Sequence, residues 1–282
     1  MIEFHAASVA AHEQRPNEDA YACIEDFAVV ADGATAPATL NSGCSHDPRW
    51  YAKRLVTCAA LAHVMNPEAP LPDTLSRAIE STTKVHADSC DTNHPGTPSA
   101  TVVMFRSSRS SLQWLVLGDA TLVLELDGDL QVVTDQRLGR TSQREREAVL
   151  AGGNADGLRA ERIAALSQAQ RRFRNVPGGF WVAAADPTAA YHSLTGELSI
   201  GPSTSWRAAL LTDGASAAVD TYTLTDWGGA LDAMAKSGPS DFLRAIRAVE
   251  ASDPDASVHP RIKPSDDATA IYVAGESSGV TQ

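Results

Sequence analysis

Long apolar runs, paired cysteines, internal repeats and an excess of basic residues are all missing from this chain of 282 residues. No stretch approaches the roughly 20 consecutive apolar residues that a membrane-spanning helix needs. The opening MIEFHAASVAAHEQRPNED has no basic flank feeding an apolar run, so no secretory leader is read there. Lysine and arginine number 23 against 35 aspartates and glutamates, a formal net charge of −12. That balance opposes general binding to nucleic acid or to an anionic membrane surface. Only four cysteines occur, Cys23, Cys44, Cys58 and Cys90, and none forms a CxxC pair. The chain is read as cytoplasmic, and its thiols are expected to be free and buried. Cys44-x-His46 and Cys90-x3-His94 offer four zinc-capable side chains. Their spacing matches no common zinc module, and the expectation is against a zinc site.

What is present is an ordinary globular composition, 43% hydrophobic and 21% charged. The start reads as strands, IEFHAASVA, YACIE and FAVVAD. A helix is expected over 48–65, with Leu55, Cys58, Leu61 and Met65 on one stripe, and a second over 72–90. Four strand-like runs follow, SATVVMF, LQWLVLG, TLVLELD and LQVVTD, read as an antiparallel meander. Beyond a polar stretch come the strand AALLTD, helices near 223–236 and 239–251, and the last strand DATAIYV. Strands and helices grouped in this way give an α+β fold with mostly antiparallel sheet. With no convincing linker, residues 1–282 are read as a single domain.

Two stretches read almost alike, AVVADGATA at 28–36 and ALLTDGASA at 209–217. Asp-Gly between apolar runs is a hairpin signal, and LVLELDGDLQVV has alternation on both sides of it. The two matching stretches lack the second strand. Each is read as a buried strand that stops at an aspartate, with a glycine letting the backbone approach something closely. Other acids take similar places. Asn17-Glu18-Asp19 precedes YACIE, Asp119 follows Gly118 between two strands, and Asp266-Asp267 precedes DATAIYV. Strand ends lie side by side however distant they are in sequence. Carboxylates gathered at one edge repel unless cations hold them. Carboxylates, a carbonyl and waters form the hard-oxygen site that suits Mg²⁺ or Mn²⁺.

The order RPNEDAY, VVADGA, GDATLVLELDG, LLTDGA, SDDATAIYV resembles the metal-dependent type 2C (PPM) serine/threonine protein phosphatases from about residue 13 to 274. The resemblance implies two β-sheets packed as a sandwich with helices on both outer faces and a two-metal site at one end. It implies Asp19 and Asp32 around the bridging position, the Gly33 carbonyl as backbone ligand, and Asp213 and Asp266 completing the second metal. Glu18 resembles a ligand acting through water, and Arg15 the arginine that clamps the substrate phosphate. The implied cofactors are two Mn²⁺ or Mg²⁺ ions. The implied reaction is hydrolysis of phosphoserine or phosphothreonine in a phosphoprotein by water activated between the metals. No nucleic-acid or membrane partner is expected, and the chain is read as a monomer.

The chain also departs from the family's pattern. Ala34-Thr35-Ala36-Pro37 stands where many relatives have His or Met and two glycines. Asp119 matches an acid linked to a third, weaker metal, yet the acid four residues after Asp213 is replaced by Ala217, so two metals are expected. The segments GCSHDPRWYAKRL and 136–205 have no counterpart in the general pattern, and 136–205 is read as a flap over the site. Within it, 137–174 holds nine arginines and four acids. Arg171, Arg172 and Arg174 are expected to help choose an acidic phosphoprotein. Trp50, Trp181 and Trp206 are read as packing residues. A second reading is a pseudophosphatase, a regulatory module that binds a phosphoprotein without turnover. The intact Asp19, Asp32, Asp213 and Asp266 argue for the enzyme.

Overall fold

The computed structural model of the chain describes residues 2–34, 40–151, 158–201 and 204–276. In chain order the elements are β1 (Glu3–Val9), β2 (Ala20–Ile24), β3 (Phe27–Gly33), α1 (Pro48–Met65), α2 (Leu71–His86), β4 (Ala100–Ser107), β5 (Ser111–Leu117), β6 (Thr121–Leu126) and β7 (Asp129–Thr134). Then follow α3 (Arg137–Thr141), α4 (Gln143–Ala151), α5 (Arg159–Phe173), a 3₁₀ turn (Pro187–His192), β8 (Leu194–Ser199), β9 (Ser205–Leu211), α6 (Asp213–Asp220), α7 (Trp227–Ser252) and β10 (Ala268–Glu276). Among the described residues no helix is long and apolar enough to cross a membrane.

The strands form two five-stranded sheets, β1-β10-β9-β6-β7 and β2-β3-β4-β5-β8, and every neighbouring pair is antiparallel. Helices α1 and α2 cover the outer face of the second sheet, and α6 and α7 that of the first. The expected α+β sandwich with helices on both faces is thus observed.

Four layers explain why FAVVADG reads as one continuous apolar run. Ala28 and Val30 point between the sheets, toward Phe105, Leu122, Leu210 and Ile271. Val29 and Ala31 point the other way, toward Leu55, Leu75 and Ile79 of the helices. An antiparallel strand covered on both faces has no solvent side to make polar, which is the usual origin of unbroken apolar strands. Helix α1 starts where the chain supplies a cap. The Asp47 side chain accepts from Trp50 N at 2.7 Å, and Pro48 occupies the first turn without wasting a donor.

Some expectations need correction. The four strand runs after 99 are not one meander. β4–β5 and β6–β7 are hairpins in different sheets, and β5 does not pair with β6. Gly118, at φ 83°, turns the chain from one sheet to the other. The β6–β7 turn does sit at Asp127-Gly128, both with positive φ (50° and 92°), as a two-residue hairpin requires. Helix α2 ends at His86 rather than near 90, because Ser89 N turns back onto the His86 carbonyl. The two C-terminal helices run together as α7, broken only by the non-helical Gly238 ahead of Pro239. The cysteines are free but half-buried rather than buried.

The stretch 136–205 is helical only over its first part, α3 to α5, within the described residues. Beyond it, Phe180 to Ala184 are buried, Ala183 bridges to Ala100, and β8 pairs with β5. Trp181 and Trp206 are buried, whereas Trp50 is half-buried against histidines. Arg174 donates to the carbonyls of Pro95 and Thr97 and to Ser99 Oγ, and Arg171 to the Asn41 carbonyl. Those two guanidiniums hold α5 to the body of the protein, and Arg172 alone of the three is exposed.

Phe105 is fully buried between the sheets. Phe105→Ala should cost about 3–5 kcal/mol of stability by urea unfolding, the usual cost of an emptied aromatic site. A loss under about 1 kcal/mol would show that the inter-sheet layer does not depend on that ring.

Candidate active site

Five aspartates arrive at one end of the sandwich from separate parts of the chain. Asp19 immediately precedes β2, and Asp32 lies at the end of β3. Asp119 sits in the crossing from β5 to β6, Asp213 opens α6 directly after β9, and Asp266 precedes β10. Antiparallel pairing of β2 with β3 and of β9 with β10 puts a strand start beside a strand end, so the acids become neighbours.

The glycines after Asp32 and Asp213 have a steric reason. Gly33 N donates to the Glu18 carbonyl at 3.3 Å, and a Cβ on Gly33 would lie 2.7 Å from that oxygen. A Cβ on Gly214 would overlap the Asp267 carbonyl. In both places backbone approaches backbone too closely for any side chain. The loop beyond Ala34, with Thr35, Ala36 and Pro37, lies outside the described residues.

Asp19 is the most buried of the five, at 4% exposure. Its Oδ2 accepts from the hydroxyls of Thr212 (2.9 Å) and Thr269 (2.8 Å). Its Oδ1 is buried with no hydrogen-bond partner. Asn17 fixes the turn before it, accepting from Asp19 N at 2.9 Å and donating to Ser8 Oγ at 2.8 Å. Asp267 ties the same segment down from the other side. Its two oxygens accept from Ala11 N and Glu18 N, both at 2.7 Å. Asp266 is reached by Lys263 Nζ at 2.8 Å, and its carbonyl accepts from Arg247 of α7 at 2.6 Å.

The electrostatics match this crowding. Burial pushes the Asp19 carboxyl up to about 8, against the pull of the two threonine hydroxyls and with a further push from Asp213 and Asp267. Burial, then the charges of Asp213, Asp19 and Asp266, raise Asp32 well above the carboxylate range. Asp213 is raised by burial and by Asp119, and Asp119 by burial, with Asp135 and Asp266 adding to it. Asp266 rises to about 6 through burial and Asp213, with Lys263 opposing. Lys263 is itself raised: desolvation is outweighed by Asp266 and Asp213. Its side chain is partly open to solvent, and its ammonium pairs with Asp266.

Of the residues singled out in the sequence, Asp19, Asp32, Asp119, Asp213 and Asp266 therefore form one interacting set. Gly33 closes on the Glu18 backbone, and Glu18 enters this geometry through its main chain. Arg15 lies in the exposed turn before Asn17, its backbone N bonded to the His12 carbonyl. Thr212, Thr269 and Lys263 belong to the site and are given no role by the sequence motifs, while Asn17 and Asp267, which stand in those motifs, act as hydrogen-bonding supports. Thr212 stands directly before Asp213, and Thr269 alternates with Ala268 and Ala270 in an otherwise apolar strand. A polar residue in a run buried on both faces was the available signal.

A sequence profile described as Protein phosphatase 2C matches residues 8–241. The chain belongs to this family and is a metal-dependent protein phosphatase by that membership. It resembles the serine/threonine phosphatase PstP/Ppp of Mycobacterium tuberculosis with a TM-score of 0.57 and 15% identity, over 96% of this chain and 97% of that one. The catalytic domain of PstP in complex with 2 manganese ions gives a TM-score of 0.53 at 16% identity, over 96% and 97% of the two chains. Serine/threonine phosphatase Stp1 of Staphylococcus aureus gives 0.55 at 12% identity, over 98% and 96%. Identities this low carry the fold. A search of curated proteins gives no match.

The raised acids make the metal-free protein sensitive to base. A carboxyl with a raised folded-state pKa binds its proton more tightly folded than unfolded, so its contribution is complete below about pH 4 and is lost on ionisation. In EDTA, thermal stability should fall as pH rises through about 6 and on through about 8, the values of Asp266 and Asp19. Stability that climbs over that window instead would show that the acids are not crowded.

Proposed function

We propose that this phosphatase hydrolyses phosphoserine and phosphothreonine in proteins at a centre built for two Mn²⁺ or Mg²⁺ ions. Asp19, Asp32, the Gly33 carbonyl, Asp213 and Asp266 would hold them and Glu18 would act through a water; Asp119 adds its charge to the set, and with Ala217 in place of the family's further acid no third ion is assigned to it. The observation that carries this reading is the orphaned Asp19 Oδ1. A buried carboxylate oxygen without a donor is costly unless a cation meets it. The donor set is all oxygen, which fits Mn²⁺ and Mg²⁺.

When bound, the ions supply an activated water and neutralise charge on the phosphoryl oxygens. The chain's own residues do the positioning. Thr212 and Thr269 hold Asp19 by one oxygen and so aim the other into the cluster. Asp267 holds the backbone on either side of Arg15, whose guanidinium would clamp the substrate phosphate. Lys263, paired with Asp266, adds a positive charge beside the acids. The regulatory, non-hydrolytic reading rests on the altered sequence after Gly33, and the presence of Asp19, Asp32, Asp213 and Asp266 in one set favours the enzyme over it.

Hydrolysis of p-nitrophenyl phosphate and of a phosphothreonine peptide, each with Mn²⁺, Mg²⁺ or EDTA, tests the reading. Activity should need the metal. Asp213→Asn should lower kcat/KM by at least about 100-fold, some 2.7 kcal/mol of transition-state stabilisation. Undiminished turnover in EDTA or in Asp213→Asn would overturn it. Thr269→Val, which keeps the shape but removes a donor to Asp19, should weaken activation by Mn²⁺ by about 10–100-fold.

A further inference from the structure

Far from the acids in sequence lies a second cluster of quite different chemistry. Cys44 and His46 sit in the connection between β3 and α1. His86 is the last residue of α2, and Cys90 lies one turn beyond it. The four ligand atoms, two sulfurs and two ring nitrogens, all lie within 4.8 Å of one another. Cys44 Sγ is 3.6 Å from His46 Nδ1 and 3.4 Å from His86 Nδ1, and His46 Nδ1 is 3.4 Å from Cys90 Sγ.

Those three separations match the sulfur–nitrogen edges of a tetrahedral site. With metal–sulfur bonds of about 2.3 Å and metal–nitrogen bonds of about 2.05 Å, a tetrahedral site has sulfur–nitrogen edges of about 3.5 Å. Hydrogen-bond donors reach both sulfurs as well. His46 N donates to Cys44 Sγ at 3.4 Å, and the hydroxyls of Ser45 and Ser89 each approach Cys90 Sγ at 3.8 Å. Trp50 stacks on the His46 ring at 4.0 Å between centroids and lies 5.2 Å from the His86 ring, fixing both rings. His86 is 1% exposed. A buried imidazole whose Nδ1 faces a sulfur is expensive without a strong partner there.

We propose that Cys44, His46, His86 and Cys90 bind one Zn²⁺ as a closed structural site. Two sulfurs and two nitrogens in tetrahedral array select zinc over the hard ions suited to the aspartates. The expectation from spacing, which pairs Cys90 with His94 and gives no zinc module, needs correction. His94 Nδ1 instead accepts from Gly96 N at 2.9 Å, and His86, one helical turn before Cys90, takes the fourth place. The zinc would clip the segment leaving the Asp32-Gly33 strand to the far end of α2. The same segment is tied by Asp91 N to the Gly43 carbonyl (2.8 Å) and by Arg171 of α5 to the Asn41 carbonyl (3.0 Å). The clip therefore anchors the outer layer where the arginine-rich helices meet the body.

The test is metal content of the purified full chain by plasma mass spectrometry, without chelator, beside a cobalt spectrum. Wild type, Asp213→Asn and His94→Ala should each carry one zinc, and Cys44→Ser/Cys90→Ser at least about tenfold less. Should the double variant fail to fold, wild type stripped and reloaded with Co²⁺ still decides. A thiolate-to-cobalt charge-transfer band with intense visible bands supports the site. Zinc unchanged in the double variant, no thiolate band, or a Cys44–Cys90 disulfide in zinc-free wild type would overturn it. The readout is independent of phosphatase activity, so failure of the aspartate centre would leave it standing.

Discussion

Ionised carboxylates do not gather in a partly desolvated place without compensation, and this fold gathers five. Burial raises all five, and the charges of Asp19, Asp119, Asp213 and Asp266 each raise another member of the set. The rest of the architecture makes that crowding tolerable in one place only. Thr212 and Thr269 satisfy one oxygen of Asp19, Lys263 offsets Asp266, and the Asp266 backbone is held from behind by Arg247. What remains unsatisfied faces inward. Protonation or a cation relieves the crowding, and near neutral pH a cation does so while leaving the carboxylates ionised, which links metal dependence to the packing.

The scaffold that permits this is a sandwich covered on both faces. Because β3 and β9 are buried on both sides, they form rigid rods whose ends are fixed by two layers at once. Carboxylates placed on such ends are held more closely than they would be on loops. The loops that do matter are stiffened by charge. Asp253 accepts from the backbone N–H groups of Ser257, Val258 and His259 and pairs with Arg261 at 2.7 Å. That buried pair shapes the descent from α7 to Asp266, much as Asp267 shapes the approach to Asp19.

The acids were legible because their signal is local. An apolar run ending in Asp-Gly needs no knowledge of partners, and two such runs in order with three further acid-bearing motifs mark the family. The layers were legible for the same reason, since FAVVADG and AALLTDG are too short for helices and too apolar for a single covered face. Contacts made across the fold were hidden. Thr269 differs from any other strand threonine only in facing Asp19, which comes 250 positions earlier. The sheet assignment of β5 and β6 failed because LQWLVLG and TLVLELD look identical whether the turn between them closes a hairpin or changes sheets. Arg171 and Arg174 looked like a charge run and turned out to hold carbonyls, information that resides in residues 41 and 95–99.

His86 is the clearest case. Spacing rules for zinc assume that ligands leave a knuckle or a helix in a known order, and Cys44-x-His46 with His86-x3-Cys90 follows none of them. The order is set instead by α2, which delivers its last residue to the loop that follows Gly33. The two clusters also differ in donor type. Zinc outcompetes manganese and magnesium for almost any nitrogen or oxygen site, so a centre of bare carboxylates is open to it. A thiolate–imidazole clip binds zinc more strongly than carboxylates do, and carboxylates suit the harder ions that thiolates disfavour. With both donor sets on one chain, limiting zinc goes first to the clip, which staples the outer layer before the carboxylates compete for that ion.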